Sequence, residues 1–252
     1  MRSAPIGVFD SGMGGLGVVR ALRVAMPCER LIFFGDNANA PYGEKTPEEI
    51  RALSLRAAQT LTDRGVKALV VACNTATSAA EAALRQRLDI PVVGIEPDLA
   101  SARAIAGDKR VIVFATQATL SLPRYLEAKG RLCPNAVSIP APELVQMVER
   151  GAVAGEEPEA FFREKLAPWR GEIGAIVLGC THFTFLRAPL RAVAPGIALL
   201  DGIARLTRNL RSMLAAADAL TETGEGGVEL HTSASDPAVM ARMRALYEMR
   251  AQ

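Results

Sequence analysis

The chain has 252 residues, and 50% of them are hydrophobic, enough for one large core or two cores of about 100 residues each. Its 29 basic and 27 acidic residues give a net charge of +2 without a basic run, so neither nucleic acid nor an anionic membrane is indicated as a partner. The start of the chain lacks a signal-peptide pattern, and no segment approaches the ~18 apolar residues needed to span a bilayer. We therefore expect a cytoplasmic protein.

Strand-like runs rich in Val, Ile and Phe alternate along the chain with helical stretches rich in Ala, Leu and Arg. This alternation is typical of βα units around mostly parallel sheets. The predicted helices cover residues 15–26, 47–63, 76–88, 97–106, 142–150, 157–166 and 203–219. A Gly/Glu-rich loop at 221–227, a short strand at 228–232 and a terminal helix at 236–250 complete the prediction.

The first predicted strand ends at Asp10 and Ser11, and the glycine-rich turn from Gly12 to Gly17 then fits the pattern G-x-G-x-x-G. Asp36 follows the next strand about 20 residues later, as a dinucleotide site requires. However, Asp10 and Ser11 occupy the point where a pyrophosphate would approach, and a carboxylate there would repel it. A dinucleotide-binding oxidoreductase is therefore the weaker alternative, because glycines that only permit a tight turn and close packing fit any function.

Two cysteines, Cys73 and Cys180, each follow an apolar strand and precede polar residues that begin a helix. At such a position, outward-pointing backbone N–H groups and the helix dipole favour the thiolate. We therefore expect the two side chains to act as a pair of acid–base groups.

The two cysteines belong to an internal duplication. Ser11 precedes Cys73 by 62 positions, and Thr116 precedes Cys180 by 64. A third strand that ends in an acid follows 23 positions after the first cysteine and 21 positions after the second. Matched landmarks at nearly equal spacing indicate two copies of one α/β unit.

The duplication predicts two α/β domains with doubly wound, mostly parallel sheets, related by pseudo-two-fold symmetry. The first comprises residues 1–97 and 208–252 and carries Cys73, and the second is inserted as residues 98–207 and carries Cys180. Because the carboxyl ends of the strands converge between the domains, we expect the active site in this cleft, with the two thiols on opposite sides.

The other two cysteines, Cys28 and Cys133, lie beside prolines in predicted loops and have no neighbour that would activate them. Four cysteines could form two disulfides, but their wide separation, the chain length and the missing export signal favour reduced thiols. The two histidines, His182 and His231, are far apart and no C-x-x-C pattern occurs, so no metal site is predicted.

Four short segments of the sequence resemble known family signatures. They are FDSGMGG at 9–15, PYGEK at 41–45, ACNTA at 72–76 and LGCTHF at 178–183. Together they resemble the signatures of the glutamate racemase family, in the aspartate/glutamate racemase superfamily, in register over nearly the whole chain. The resemblance implies a cofactor-independent isomerase that interconverts L- and D-glutamate and supplies D-glutamate for peptidoglycan, and hence for the cell wall and cell shape. Gln117 and Gly202 depart from the family pattern, which more often has Glu and Ser there.

Two thiols suit this chemistry, because inverting an α-carbon requires one group to remove a proton from one face and another to return a proton to the opposite face. By the resemblance, Cys73 deprotonates D-glutamate with help from Asp10, and Cys180 deprotonates L-glutamate with help from His182. A plainer interpretation of His182 is an imidazole that caps a helix start. The resemblance and the polar residue types together suggest that the substrate is bound by Asp10, Ser11, Tyr42, Gly43, Asn74, Thr75, Thr116, Thr119, Thr181 and His182.

Three other functions are compatible with parts of the sequence. A racemase of aspartate or another amino acid differs only by the depth of the pocket, which no single residue measures. A one-cysteine decarboxylase of the same superfamily is disfavoured because both cysteines are present. A two-lobed binding protein would leave two matched thiols without a purpose. The sequence is compatible with a homodimer.

Overall fold

Two parallel sheets organise the chain, of which the computed structural model describes residues 2–249. Within that range the strands are Ile6–Asp10 (β1), Arg30–Gly35 (β2), Ala68–Val71 (β3), Val92–Gly94 (β4), Arg110–Ala115 (β5), Ala136–Pro140 (β6), Ile173–Leu178 (β7), Ala198–Leu200 (β8) and Gly227–Thr232 (β9). The sheet orders are β4-β3-β1-β2-β9 and β6-β5-β7-β8, and all neighbouring strands are parallel. The predicted fold class, α/β with two doubly wound parallel sheets, is confirmed.

The two sheets share one topology, as the duplication predicts. In the first sheet β1 lies between β2 and β3, with β4 beyond β3; in the second, β5 lies between β6 and β7, with β8 beyond β7. Strand β9 extends only the first sheet, next to β2. Because the strand order reverses direction at β1 and at β5, each sheet has a crevice at the carboxyl ends of its central strands.

Helices connect these strands and cover the sheets. Within residues 2–249 they are Leu16–Ala25 (α1), Pro47–Thr62 (α2), Asn74–Arg87 (α3), Leu99–Ala106 (α4), Gln117–Ser121 (α5), Pro123–Leu132 (α6), Pro142–Glu149 (α7), Glu156–Leu166 (α8), Arg187–Val193 (α9), Ile203–Ala216 (α10) and Pro237–Glu248 (α11). The predicted helices match these bounds within a few residues, whereas α5, α6 and α9 have no predicted counterpart. The predicted end of the last helix at 250 lies outside the described residues.

The central strands are buried on both faces, which explains their continuous apolar sequences. Every residue of β1 and β3 is buried, and so is every residue of β5 after Arg110. The burial of β1 also encloses a carboxylate, because Asp10 is its last residue and is fully buried. No helix within residues 2–249 is both long and apolar enough to cross a bilayer.

The strands of the first sheet lie within residues 1–97 and 208–252, and those of the second lie within 98–207. We keep this division as our proposal for the domains. Helix α10 runs through the proposed crossing at residue 207, and it packs against α1 and β4 of the first sheet.

Candidate active site

A cavity of about 380 Å³ is lined by residues that follow the central strands of both sheets. The predicted site residues in its wall are Ser11, Tyr42, Gly43, Cys73 and Thr75 from the first half, and Thr116, Cys180, Thr181 and His182 from the second. The other predicted site residues, which are buried but absent from the wall, are Asp10, Asn74 and Thr119. The topology explains this convergence, since the crevices of both sheets open at the ends of β1, β3, β5 and β7.

Cys73 occupies the N-cap position of α3, as the sequence predicts. Its sulfur accepts a hydrogen bond from the Ala76 N–H at 3.4 Å and lies 3.3 Å from the Ser11 hydroxyl. Burial and the nearby Asp10 charge nevertheless raise the pKa of Cys73 to about 12, against the lowering effect of these two hydrogen bonds. The expectation of a stabilised thiolate at this position is therefore wrong for the structure described, because desolvation outweighs the helix start.

Cys180 belongs to a different electrostatic environment. Its sulfur lies 3.7 Å from His182 Nδ1, and His182 Nε2 lies 2.7 Å from Glu149 Oε1. Burial disfavours the imidazolium, but the hydrogen bonds to Cys180 and Glu149 outweigh it and raise the pKa of His182 well above its usual value. Burial likewise opposes the charge of Glu149, yet His182 lowers the pKa of this carboxylate on balance. A charged imidazolium–carboxylate pair therefore adjoins Cys180.

Glu149 is a further candidate site residue, and the sequence alone does not point to it. It is the last residue of α7 and lines the cavity, and its Oε1 also accepts the Met13 N–H at 3.0 Å. The carboxylate thus links the second half of the chain to the glycine-rich turn of the first. An acid at the end of a predicted amphipathic helix carries no local signal for this role, since its partner in the first half lies 136 positions away.

Asp10 is fully buried at the end of β1, and both of its carboxylate oxygens are hydrogen-bonded. Oδ1 accepts the Gly12 N–H at 2.7 Å, and Oδ2 accepts the Thr181 hydroxyl at 3.0 Å. Burial raises the pKa of Asp10, while the His182 charge and these two donors act in the opposite direction. A raised pKa makes this carboxylate a better proton acceptor than an exposed aspartate.

The glycine-rich turn packs directly against the second half of the chain. A Cβ on Gly12 would lie 2.4 Å from Glu149 Oε1, and a Cβ on Gly14 would lie 2.6 Å from Thr181 Oγ1. Asp36, the candidate ribose ligand, instead accepts the Tyr42 hydroxyl at 2.6 Å. The space that a pyrophosphate needs is therefore filled by protein, and the dinucleotide-binding alternative is not supported.

Three threonines form a hydroxyl cluster across the two halves. Thr75 Oγ1 lies 2.8 Å from Thr116 Oγ1 and 3.1 Å from Thr119 Oγ1, and the last two are 2.9 Å apart. Next to Thr75, the Asn74 side chain has a buried Oδ1 without a hydrogen-bond partner among the described residues. These groups supply neutral donors and one free acceptor close to Cys73.

The loop that carries Tyr42 and Gly43 forms part of the cavity wall. Burial and the bond to Asp36 raise the pKa of Tyr42, so its hydroxyl keeps the proton that it donates. Gly43 lets this loop approach the second half closely, because a Cβ there would lie 2.9 Å from Thr116 Cβ. Both residues therefore shape the wall, and the Tyr42 hydroxyl donates its hydrogen bond to Asp36.

The acids that end the third strand of each half lie outside the cavity wall. Asp201 Oδ1 accepts the Ile203 N–H at 2.9 Å, at the start of α10. Glu96 pairs with Arg124 and Arg205. These contacts give Asp201 a structural role at the start of a helix and Glu96 a role in ion pairing. Of the two departures from the family pattern, Gln117 lines the cavity, and Gly202 allows the close approach of the Glu96 carbonyl.

All four cysteines are free thiols in the structure. Cys133 is fully buried after α6, and Cys28 is half-buried. Within residues 2–249 no group of three or more His, Cys, Asp or Glu side chains is arranged to hold a metal ion.

Comparison with known proteins identifies the family. A family model described as Asp/Glu/Hydantoin racemase matches residues 17–210. The chain is 40% identical over 256 residues to a glutamate racemase of Clostridium perfringens, covering 99% of this chain and 98% of that relative. A Thermus thermophilus glutamate racemase solved in complex with beta-chloro-D-alanine superimposes with a TM-score of 0.85 at 36% identity, over 100% of this chain and 95% of that one. A Francisella tularensis glutamate racemase in complex with D-glutamate gives 0.85 at 29% identity, over 100% and 96%. The chain therefore belongs to the Asp/Glu/Hydantoin racemase family.

Proposed function

We propose that this protein interconverts L- and D-glutamate without a cofactor, with Cys73 and Cys180 as the two acid–base groups. The observation that carries the proposal is that these two thiols, from equivalent positions of the duplicated halves, line one cavity. The relatives named above, at 29 to 40% identity over nearly the whole chain, support the choice of substrate.

In the proposed reaction one sulfur, as thiolate, takes the α-proton, and the electron pair of the broken C–H bond stays on the planar carbanion. The other sulfur, as thiol, gives its proton to the opposite face and becomes the thiolate. Cys73 serves D-glutamate as the base and Cys180 serves L-glutamate. Each turnover exchanges the protonation states of the two sulfurs, and the reverse reaction restores them.

The neighbours of each sulfur support this exchange. Asp10, with its raised pKa, is suited to assist the loss of a proton from Cys73. His182, held as an imidazolium by Glu149, is suited to exchange a proton with Cys180 across 3.7 Å. We propose Asp10 and His182 as the assisting residues of the two thiols.

Substrate binding is proposed to rely on neutral donors. Among the described residues that line the cavity, none is Lys or Arg. We propose that Ser11, Thr75, Thr116, Thr119 and the N–H groups at the start of α3 bind the carboxylates of glutamate. The remaining binding groups are proposed to be the free Asn74 Oδ1 for the ammonium, the loop with Tyr42 and Gly43, and the segment with Thr181 and His182.

The test uses purified protein that has been treated with a chelator. It is incubated in three separate reactions with L-glutamate, L-aspartate or L-alanine, and the products are analysed by chiral chromatography. We expect D-glutamate and no other product. Conversion of aspartate instead would establish the rival racemase activity. Activity that needs added pyridoxal phosphate, NAD or a metal ion would overturn the proposed mechanism.

We further propose that the D-glutamate serves peptidoglycan synthesis in the cytoplasm. Expression of the chain in a bacterial strain that requires external D-glutamate should restore growth without it. The matched control is the Cys180→Ala variant expressed at the same level, which should not restore growth. Failure of the active protein to do so would contradict this role.

A further inference from the structure

The Asp10 carboxylate is held by donors from both halves of the chain. Gly12, two residues beyond Asp10, supplies a backbone N–H to Oδ1. Thr181, which is 171 positions away and follows Cys180 directly, supplies its hydroxyl to Oδ2. A residue adjacent to one thiol thus contacts the carboxylate that we assign to the other thiol.

Burial and the contacts of its own turn fix the position of the Thr181 hydroxyl. Thr181 is only 2% exposed, and its hydroxyl donates a hydrogen bond to the Asp10 side chain. The Thr184 hydroxyl donates to the Thr181 carbonyl at 2.8 Å, which ties the turn that carries both residues. The absence of a Cβ at Gly14 leaves the space into which Thr181 projects, since a Cβ there would lie 2.6 Å from Oγ1.

We propose that Thr181 is a positioning residue for the proton transfer at Cys73: its hydroxyl orients the Asp10 carboxylate and favours its ionised form. The proposal rests on the proposed racemase function and deepens it. Its consequence is that Asp10 has its full set of donors only when the two halves of the chain are in contact. The assistance given to Cys73 therefore depends on the placement of the segment that carries Cys180.

Thr181→Val removes the hydroxyl while keeping the shape of the side chain, and Thr181→Ser keeps the hydroxyl. A hydrogen bond to a charged group typically contributes enough that its loss reduces kcat/KM about ten- to hundred-fold. We expect that loss in Thr181→Val and recovery to within about threefold of wild type in Thr181→Ser. Thr184→Val is the matched control for damage to the turn, because Thr184 contacts the Thr181 backbone and not Asp10.

Two readouts separate positioning from a structural effect. The Thr181 hydrogen bond lowers the pKa of Asp10. In Thr181→Val its loss should therefore move the acidic limb of the plot of kcat/KM against pH to higher pH. The acidic limb should stay in place in Thr181→Ser and Thr184→Val. The primary isotope effect with α-deuterated D-glutamate should also rise, because proton removal by Cys73 limits the rate more strongly, while that with α-deuterated L-glutamate should fall. In an Asp10→Asn background, adding Thr181→Val should cost less than twofold, since no charged carboxylate is left to orient.

An active wild-type protein in which Thr181→Val keeps the wild-type acidic limb and isotope effects would overturn this inference and leave the proposed function intact. Equal losses of kcat/KM in Thr181→Ser and Thr181→Val would overturn it as well. This test remains valid if the valine variant folds poorly, because a large loss in the serine variant, which keeps the hydroxyl, already contradicts the inference. An inactive wild-type protein would instead refute the proposed function itself.

Discussion

The two thiols occupy chemically different environments, although they occupy equivalent places in the duplicated halves. Cys73 adjoins a buried carboxylate, which with burial raises its pKa to about 12. Cys180 adjoins the His182 imidazolium, which Glu149 stabilises. At the residue scale the site therefore has one half that holds negative charge near its sulfur and one half that holds positive charge.

Replacing Asp10 by Asn should make Cys73 more reactive toward an alkylating reagent. The Asp10 charge raises the pKa of Cys73, so the neutral amide should lower it and increase the thiolate fraction about tenfold for each unit of the shift. Mass spectrometry of the Cys73 peptide after timed alkylation between pH 7 and 11 measures this. The same variant should lose racemase activity, because it lacks the carboxylate that we propose to assist Cys73.

Ser11→Ala is the matched variant, and it should change the pKa of Cys73 in the opposite direction. The Ser11 hydroxyl lowers the pKa of Cys73, so its removal should slow alkylation of Cys73 at each pH. Alkylation of Cys73 at the same rate in both variants would contradict the opposite effects that we assign to the Asp10 charge and the Ser11 hydrogen bond on the pKa of Cys73.

Replacing Glu149 by Gln should lower the pKa of His182. The carboxylate stabilises the imidazolium through a bond of 2.7 Å, so without it His182 should lose its proton at a lower pH, and activity that depends on the imidazolium should decline from that pH upward. NMR titration resolves this readily, because the chain has only two histidines. A His231→Gln spectrum assigns the signals, and an unchanged His182 titration in Glu149→Gln would contradict the account.

At the scale of elements, the sequence predicts most of the helices and the mostly parallel sheets, because the apolar patterns of these elements are strong. Helix α6 has no predicted counterpart because Tyr125 is its only fully buried residue, which leaves little apolar periodicity to detect. Helix α5 has five residues and α9 seven, both too short for a periodic pattern. All three helices lie in the second half of the chain, and of the three only α5 contributes a described residue, Gln117, to the cavity wall.

Helix α6 also joins the two halves through an ion-pair network. Arg124 binds Glu81 on α3 and Glu96 after β4, and Glu81 has a side chain that is only 3% exposed. Arg85, four residues after Glu81 on α3, binds the same carboxylate and is more exposed than Arg124. Arg124 therefore connects α6 both to α3 and to the residue after β4, whereas Arg85 pairs within α3.

Arg124→Gln should lower the free energy of unfolding by about 1–2 kcal/mol, a value reduced for the partial exposure of its side chain. Arg85→Gln, which removes a pair within one helix, should lower it by about 0.5 kcal/mol or less. Urea denaturation of both variants measures the difference. A larger loss in Arg85→Gln than in Arg124→Gln would contradict the importance of the link between halves.

At the scale of the whole molecule, the duplication predicts the two sheets, and the structure confirms them. The contacts between the halves could not be predicted in the same way. Glu149 reaches Met13 across 136 positions and Thr181 reaches Asp10 across 171, and such pairings leave no local pattern in the sequence. The high pKa of Cys73 could not be predicted from its place before a helix, because burial and the Asp10 charge outweigh the hydrogen bonds from Ser11 and Ala76.

The central claim is that the two thiols act on opposite faces of one substrate, and isotope incorporation tests it most directly. When L-glutamate is converted in D₂O, the D-glutamate formed should carry deuterium at the α-carbon, because the returning proton comes from a thiol that has exchanged with solvent. The remaining L-glutamate should stay protiated at early times, since its proton leaves on the other sulfur. Cys73→Ala and Cys180→Ala should each lose racemisation by at least the ~10²–10⁴-fold typical of an acid–base catalyst. Equal early labelling of both enantiomers, or near wild-type racemisation in either variant, would contradict the account.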